Sequence, residues 1–511
     1  MHSLFLVEKK IPGSDGVILF GIPPLAYWEE SDGKPTRLLW INCGPRPGLP
    51  PDQKMPPHVD YLDVRGTERL AARRLLEGFI EGSFKQLPSL LVSRGVEAHA
   101  EYESPLADVF ELLESAFRNR TTRRKDAFRW QLNCVRNILD YPGSRLPREA
   151  QNVLSGAPAW IVGAAPSLDH SMGALRQVRE CGVLFAADSA WRVLRSHGIE
   201  PDFVVSMDAS KTAERCLPQD GLRGERIVLS LTSPADWRQR IPAENRFYLA
   251  GNQLTHLWLV KKGGPPAPLS ALVNCGVTAA SLARFLGCAP LYLFGMDFAL
   301  DPTRSSPRHH EAWIDDGNPL PMQADTGERA SVFPKVPGNH SDEVPTHAYG
   351  DWKEFNALLS SWPEGLVHVV TDRGARLSNT RVLTPASFLE GQGASIRRIA
   401  PWSFPKTSAV SASQIESLRE SLLRFSEQLE HFLPSLKSLL ALRGGGDAAQ
   451  ALCQLMKDRE KGLMLGAFTL KWLPDLLPPA MTDPERWSEL LAELELLAAQ
   501  MKDPLSVTGP M

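Results

Sequence analysis

Between residues 157 and 300, short apolar runs alternate with segments of helical period. "AWIVG" leads into "SLDHSMGALRQVREC", and "VLFAAD" leads into "SAWRVLRSHG". "DFVVSMD", "RIVLSL" and "RFYLAG" follow, then the helical "VTAASLARFLG" and a last run, "PLYLFGMD". Each run is continuously apolar, as in a strand covered on both faces. Such strands, spaced by helices, build a parallel, doubly wound sheet. Gly198 and Gly287 stand where two of the helices should stop. The pattern predicts an α/β fold with a Rossmann-like, mostly parallel sheet in a central domain spanning 151–395.

In an open parallel sheet, ligands bind beyond the carboxyl ends of the strands. The residues there are Gly163, Ala164, Ala165, Pro166 and Ser167, then Asp188 and Ser189, then Asp208, Asn252 and Asp297. One aspartate at a strand end can simply cap the next helix. Three on one edge can also hold ribose hydroxyls, bind a metal or act as a base. Two turns rich in small residues open helices at the same edge: "GAAPSL", and "NCGVTAAS" with Asn274, Gly276 and Thr278. Free N–H groups and the partial positive charge at a helix start favour a phosphate. Neither turn is followed by a P-loop lysine, and each can serve close packing alone. The Pro-, His- and Asp-rich stretch 301–350 reads as a loop. Its "SSPRHHEAW" carries His309, His310 and Glu311, and a histidine over a pocket can deprotonate a hydroxyl.

The flanks are different in kind. Residues 1–150 read as an N-terminal α/β domain with a helical lead-in. "GVILFGIP" and "RLLWINCGPRPG" are its strands. "TERLAARRLLEGFIEGSF" is a helix with Leu70, Leu75, Leu76 and Phe79 on one stripe, and Ser104 caps the helix after it. "GLVHVVTDRGARL" is a last central strand and turn. Residues 408–511 read as a C-terminal helical domain. There Ile415, Leu418, Leu422, Phe425, Leu429 and Phe432 form a stripe, Ser413 and Glu416 a capping box, "RGGGD" a stop, and Pro484 opens another helix.

A formal net charge of −3 over 511 residues argues against a nucleic-acid binder. The basic run "RNRTTRRKDAFR" is read as a solvated helix face, with a patch for a phosphorylated or acidic partner as the other reading. Seven scattered cysteines without CxxC spacing argue against a disulfide framework and a zinc site, and suit a reducing cytoplasm. No run has the apolar length of a membrane span.

"WIVGAAPSLD", "FAADSAWRVLRSHGIEPDFVVSMD", "NCGVTAASLARFLGCAPLYLFGMDFAL" and "HVVTDRGARL" resemble, in order and spacing, the central domain shared by motility accessory factor (Maf) proteins and MptE-like proteins. "PGNHSDEVPTHAYGDW" and "FRWQLNCVRNILDYP" extend the resemblance to about residues 120–390. Ala165 and Cys275 stand where the family more often has a second glycine, so two added Cβ atoms restrict the approach of a phosphate.

The Maf resemblance implies a glycosyltransferase. The donor would be a nucleotide-activated nonulosonic acid, CMP-pseudaminic or CMP-legionaminic acid, and the acceptors Ser or Thr hydroxyls of flagellin or a similar surface protein. Gly163–Ser167, Asn252 and Asn274–Thr278 would then hold the nucleotide. Asp188, Ser189 and Asp208 would meet ribose or sugar hydroxyls, and His310 would be the base, supported by Asp297. The MptE-like resemblance implies a diphosphokinase moving diphosphate from ATP to 6-hydroxymethylpterin, with Mg2+. A non-catalytic nucleotide-binding scaffold is the third reading.

Overall fold

A computed structural model describes residues 16–21, 37–43, 57–83, 86–93, 96, 99–251, 253–300, 334–371, 373–392, 399–477 and 481–506. The chain divides into two compact units. The first comprises Met1–Phe128, Pro434–Asp458 and Ala467–Leu491; the second comprises Arg129–Leu433, Arg459–Gly466 and Ala492–Met511.

The first unit carries strands β1 (Gly16–Phe20), β2 (Arg37–Asn42), β3 (Val59–Asp63) and β4 (Ser89–Val92). They pair in parallel in the order β3-β2-β1-β4. The "GVILF" strand is buried along its whole length, as a sheet covered on both faces requires. On one face Ile18, Phe20, Leu39 and Ile41 pack with Leu76, Phe79 and Ile80 of helix Arg69–Glu81. On the other lie Val17, Leu19, Leu38 and Trp40. Leu70 and Leu75, expected on the buried stripe, are 53% and 37% exposed. The stripe instead runs through Ala72, Leu76, Phe79 and Ile80, at the spacing of one helix face. The next long helix begins at Glu103, so Ser104 lies inside its first turn and is not its cap. The basic run occupies that helix, Glu103–Asn137, with Thr121–Lys125 exposed.

The second unit holds the large sheet: β5 (Ala159–Val162), β6 (Val183–Ala187), β7 (Phe203–Ser206), β8 (Arg226–Leu229), β9 (Arg246–Tyr248), β10 (Leu291–Phe294), β13 (Val367–Val370) and β14 (Thr380–Leu383). Their order is β14-β13-β10-β5-β6-β7-β8-β9, and every pair is parallel. Register places Leu291 beside Ala159 and Phe294 beside Val162. Two cores cover the faces. Ile161, Phe185, Val205 and Leu293 face Ala279, Ala280 and Leu282 of helix Cys275–Phe285. Trp160, Val162, Leu184 and Phe294 face Leu168, Leu175 and Leu194, from helices Leu168–Val178 and Asp188–Ser196. This is the doubly wound sheet that the alternation predicts. Strand order runs one way from β5 to β9 and the other way from β10 to β14, so the topological switch point lies between β5 and β10.

Part of the stretch expected to be loop is structured: β11 (Lys335–Pro337) and β12 (Glu343–Pro345) form an antiparallel ribbon. Three residues a side are too few to show an alternating pattern in sequence.

The C-terminal region is helical, as expected. Helix Ala412–Arg443 buries Leu418, Leu422, Phe425 and Leu429, but Leu433 rather than Phe432. Its capping box is Ser411 with Gln414, two residues before the pair read from sequence. The Ser411 Oγ accepts from the Gln414 N–H at 3.2 Å, and the Gln414 Oε1 accepts from the Ser411 N–H at 3.2 Å. Both pairs fit the motif; the backbone chose the one at the first turn.

Candidate functional site

At the switch point β5 and β10 continue side by side past their ladder. The Gly163 N–H donates to the Phe294 carbonyl at 2.8 Å, and the Ala165 N–H donates to the Gly295 carbonyl at 3.0 Å. A Cβ on Gly163 would clash with the Gly295 carbonyl oxygen. Gly295 has φ +58°, and a Cβ there would lie 2.5 Å from the Gly163 carbonyl oxygen. Only a pair of glycines permits this approach. Gly276 makes room for the same neighbour: a Cβ on it would lie 2.8 Å from Met296 Cε. Gly163 and Gly276 therefore serve close packing around Met296.

The helix start beyond "GAAP" already has an anion. The Ser167 N–H donates to Asp297 Oδ2 at 3.0 Å, and its hydroxyl donates to Oδ1. Asp297 is 5% exposed and caps helix Leu168–Val178 from the neighbouring strand end, where helix-dipole charge favours a carboxylate. Ser167 and Asp297 are thus brought together as expected, each as the other's partner.

Asp188 is a second hub. It is the first residue after β6, and its side chain has no exposed surface. Oδ1 accepts from the Ser189 N–H at 2.7 Å, the Ser189 hydroxyl at 3.1 Å and Lys211 Nζ at 2.7 Å. Oδ2 accepts from the Ser206 hydroxyl at 2.9 Å and from the Cys275 thiol at 3.7 Å. Burial alone would raise its pKa; Lys211, Ser206 and the Ser189 N–H outweigh burial and hold the carboxyl below its ordinary value. Burial, then the Asp188 charge, pushes the Cys275 thiol far up, so it stays a proton donor. The Asp188 side chain is enclosed, and its half-buried partners are Lys211, Ser189 and Cys275.

Asp208 is exposed. It holds a tight turn by accepting from the Ser210 N–H at 2.8 Å and hydroxyl at 2.7 Å. Asn274 caps helix Cys275–Phe285: its Oδ1 accepts from the Val277 N–H at 2.9 Å, and its Nδ2 donates to Asp351 at 2.8 Å. Thr278 is fully buried and its hydroxyl accepts from the Leu272 N–H at 3.0 Å. Asn252, His309, His310 and Glu311 lie outside the described residues.

The third strand end at this edge is that of β13. Gly374 has φ +90°, and a Cβ there would lie 2.9 Å from the Asp297 carbonyl oxygen; the Ala375 N–H donates to that carbonyl at 2.8 Å. Asn339 clamps the turn. Its Nδ2 donates to the carbonyls of Arg373 (3.0 Å) and Ala375 (3.2 Å), and its N–H donates to the Gly374 carbonyl at 2.9 Å. The Arg373 guanidinium reaches His170, in the first turn of helix Leu168–Val178, at 3.2 Å from Nε2.

The sequence pattern alone assigns no role to Lys211, Asn339 or Arg373. Asn339 and Arg373 lie inside the quoted "PGNHSDEV" and "TDRGARL" segments, and Lys211 follows Asp208 by three residues, but no periodicity marks them. Among the described residues, no three His, Cys, Asp or Glu side chains gather as a metal donor set. Asp188 is engaged by Lys211 and Asp297 by Ser167, so these carboxylates do not fit a shared magnesium ion.

Residues 132–303 match the family model described as 6-hydroxymethylpterin diphosphokinase MptE-like. The resemblance read from the sequence holds over that segment, which contains β5 through β10. An uncharacterized protein of Treponema pallidum (strain Nichols) is 34% identical over 79 residues, 16% of this chain and 37% of that protein's length. The chain therefore spans little more than a third of that relative. The solved structure of the MAf glycosyltransferase from Magnetospirillum magneticum AMB-1 is 16% identical, covering 87% of this chain and 68% of that one with a TM-score of 0.49.

Proposed function

We propose that the second unit binds a nucleotide-activated donor at the switch point and transfers its glycosyl group to a protein hydroxyl. One observation carries the reading: the ordered segments "GAAPSLD", "GMD" and "TDRG" meet at the carboxyl ends of β5, β10 and β13, across the switch point of one parallel sheet. In this reading the donor is CMP-pseudaminic or CMP-legionaminic acid, and the acceptor is a Ser or Thr of flagellin or a similar surface protein. Ala164 and Ala165 border the nucleotide on one side. Asn274, Ser189 and Lys211 border it on the other. Asp208, exposed at its turn, meets a sugar hydroxyl. His310 takes the acceptor proton while the acceptor oxygen bonds to the anomeric carbon. The bond from that carbon to the phosphate oxygen breaks, and CMP leaves with the electron pair. Asp297 acts by holding the Ser167 helix start in place. Among the described residues no helix is long and apolar enough to cross a membrane; the reading places the reaction in the cytoplasm.

The description of the matching family favours a second reading: diphosphate transfer from ATP to 6-hydroxymethylpterin. Asp188 and Asp297, engaged by Lys211 and Ser167, do not form its magnesium site.

Intact-mass analysis of flagellin incubated with the protein and CMP-nonulosonate tests the first reading. A mass increase of one sugar is expected, with His310→Ala slower by roughly a hundredfold or more. Formation of pterin diphosphate from ATP with unmodified flagellin would decide for the second reading. Neither product would leave a nucleotide-binding scaffold.

A further inference from the structure

Asp208 is the exposed carboxylate at the carboxyl edge of the large sheet, on the turn after β7. Two kinds of bond stay within that turn. Asp208 Oδ1 accepts from Ser210, and the Asp208 carbonyl accepts from the Lys211 N–H at 3.2 Å. They join residues of one turn, so they shape it without orienting it on the sheet.

Two buried donors from other elements supply the orientation. Asn133 stands one turn before the end of helix Glu103–Asn137 and is 4% exposed. Its Nδ2 donates to the Ala209 carbonyl at 3.2 Å and to the Thr232 carbonyl at 2.8 Å. Both acceptors are carbonyls, so only the amide nitrogen can face them, and both of its protons are used. Thr232 follows β8, the neighbour of β7, so one amide ties together two adjacent strand-end loops. Trp237, fully buried in helix Asp236–Arg240, donates its indole N–H to the Lys211 carbonyl at 2.9 Å. The turn is thus gripped on either side of Ser210. Asn133 and Trp237 are enclosed, so whatever they do for a ligand they do through the turn. Asn137 gives the contrast. It is one helical turn on from Asn133, and its Nδ2 donates to the carbonyls of Leu231 at 3.0 Å and Ser233 at 2.7 Å. That amide nitrogen serves the loop after β8 and not the turn of Asp208.

We infer that Asn133 and Trp237 are positioning residues, which hold the turn after β7 so that Asp208 is set towards the donor sugar. The inference rests on the nucleotide-donor reading given above, in which Asp208 meets a sugar hydroxyl.

The test is steady-state transfer from CMP-nonulosonate to flagellin, run below the lowest melting temperature of the set. The set is wild type, Asn133→Ala, Trp237→Phe, Asn137→Ala, Asp208→Ala, and the first two substitutions each combined with Asp208→Ala. Asn133→Ala and Trp237→Phe should each raise KM for the sugar nucleotide about tenfold, with kcat within about twofold of wild type. Combined with Asp208→Ala, each should add less than about twofold, because the group that they place is gone. Asn137→Ala also strands two buried carbonyls, and it should leave KM as in wild type. Trp237→Phe keeps an aromatic ring in the core, so it reads the same turn even where Asn133→Ala fails to fold. A fall in kcat at unchanged KM, losses that add to those of Asp208→Ala, or an equal rise of KM in Asn137→Ala marks a merely structural role. Any of these overturns the assignment while the donor reading stands. A wild type that transfers no sugar overturns both.

Discussion

At the scale of single residues, the site's carboxylates are held before any ligand arrives. Asp188 has five donors around it, and one of them, Lys211, carries the balancing charge. Removing that charge strands a buried carboxylate, so Lys211→Met should cost roughly 3–5 kcal/mol of unfolding free energy near pH 7. The pH dependence should also change sign. In wild type the Asp188 pKa is lowered on folding, so its contribution is present above the unfolded value and fades as pH falls through the folded one. In Lys211→Met the balancing charge is gone, burial outweighs the Ser206 and Ser189 hydrogen bonds that remain, and the pKa rises. The variant's deficit should then shrink as pH falls towards the unfolded value and grow as pH rises through the folded one. Urea titrations between pH 4 and pH 8, approximately the window in which a buried carboxyl titrates, read this directly. The double variant Lys211→Met with Asp188→Asn should recover part of the loss. If it is no more stable than Lys211→Met, charge balance is not what Lys211 supplies.

At the scale of elements, each helix start at the sheet edge is completed by a different device. Helix Leu168–Val178 borrows Asp297 from another strand end, whereas helix Cys275–Phe285 uses its own Asn274. Asn274→Ala should therefore cost about 1 kcal/mol, the usual worth of an N-cap. The loss should be seen as a lower urea midpoint with an unchanged slope. A change in slope would instead mean that the substitution altered how much surface unfolding exposes. The element scale also shows where sequence reading stopped. Ser413 with Glu416 and Ser411 with Gln414 fit the same capping pattern, and only the path of the chain into the helix selected the second. Leu70 and Leu75 have the right spacing for a stripe but are turned outward, because the sheet they would cover faces Leu76, Phe79 and Ile80.

At the scale of the whole molecule, the helices after residue 411 are not one body. Pro434–Asp458 and Ala467–Leu491 belong with the first unit, while Arg459–Gly466 and Ala492–Met511 belong with the second. In the first unit Phe468, Trp472 and Trp487 are fully or almost fully buried. In the second, Gln500 Oε1 accepts from the buried Arg136 at 2.8 Å, and the Met464 carbonyl accepts from the buried Gln131 at 2.7 Å. A chain ending at residue 407 would strip apolar cover from one unit and leave Arg136 and Gln131 without these partners in the other. Such a truncation should give little soluble protein and a broad, low melting transition by circular dichroism. A sharp transition at the full-length temperature would show that the tail is dispensable.

The sequence by itself determined the large sheet. Continuous apolar runs spaced by helices can only be satisfied by parallel strands covered on both faces, and the aspartates at their ends mark the edge where ligands meet such a sheet. It also marked the segments that converge there, since turns of small residues and strand-end carboxylates leave a local trace. What those residues touch was decided by the tertiary structure. Whether Asp188 faces solvent or Lys211, whether the Ser167 helix start is open or closed by Asp297, and whether Arg373 reaches His170 all depend on partners 23 to 203 positions away in the chain. Periodicity reports which face of an element is buried. It carries no information about which distant charge that face will meet, because that follows from strand order, and strand order is fixed only when the whole sheet closes.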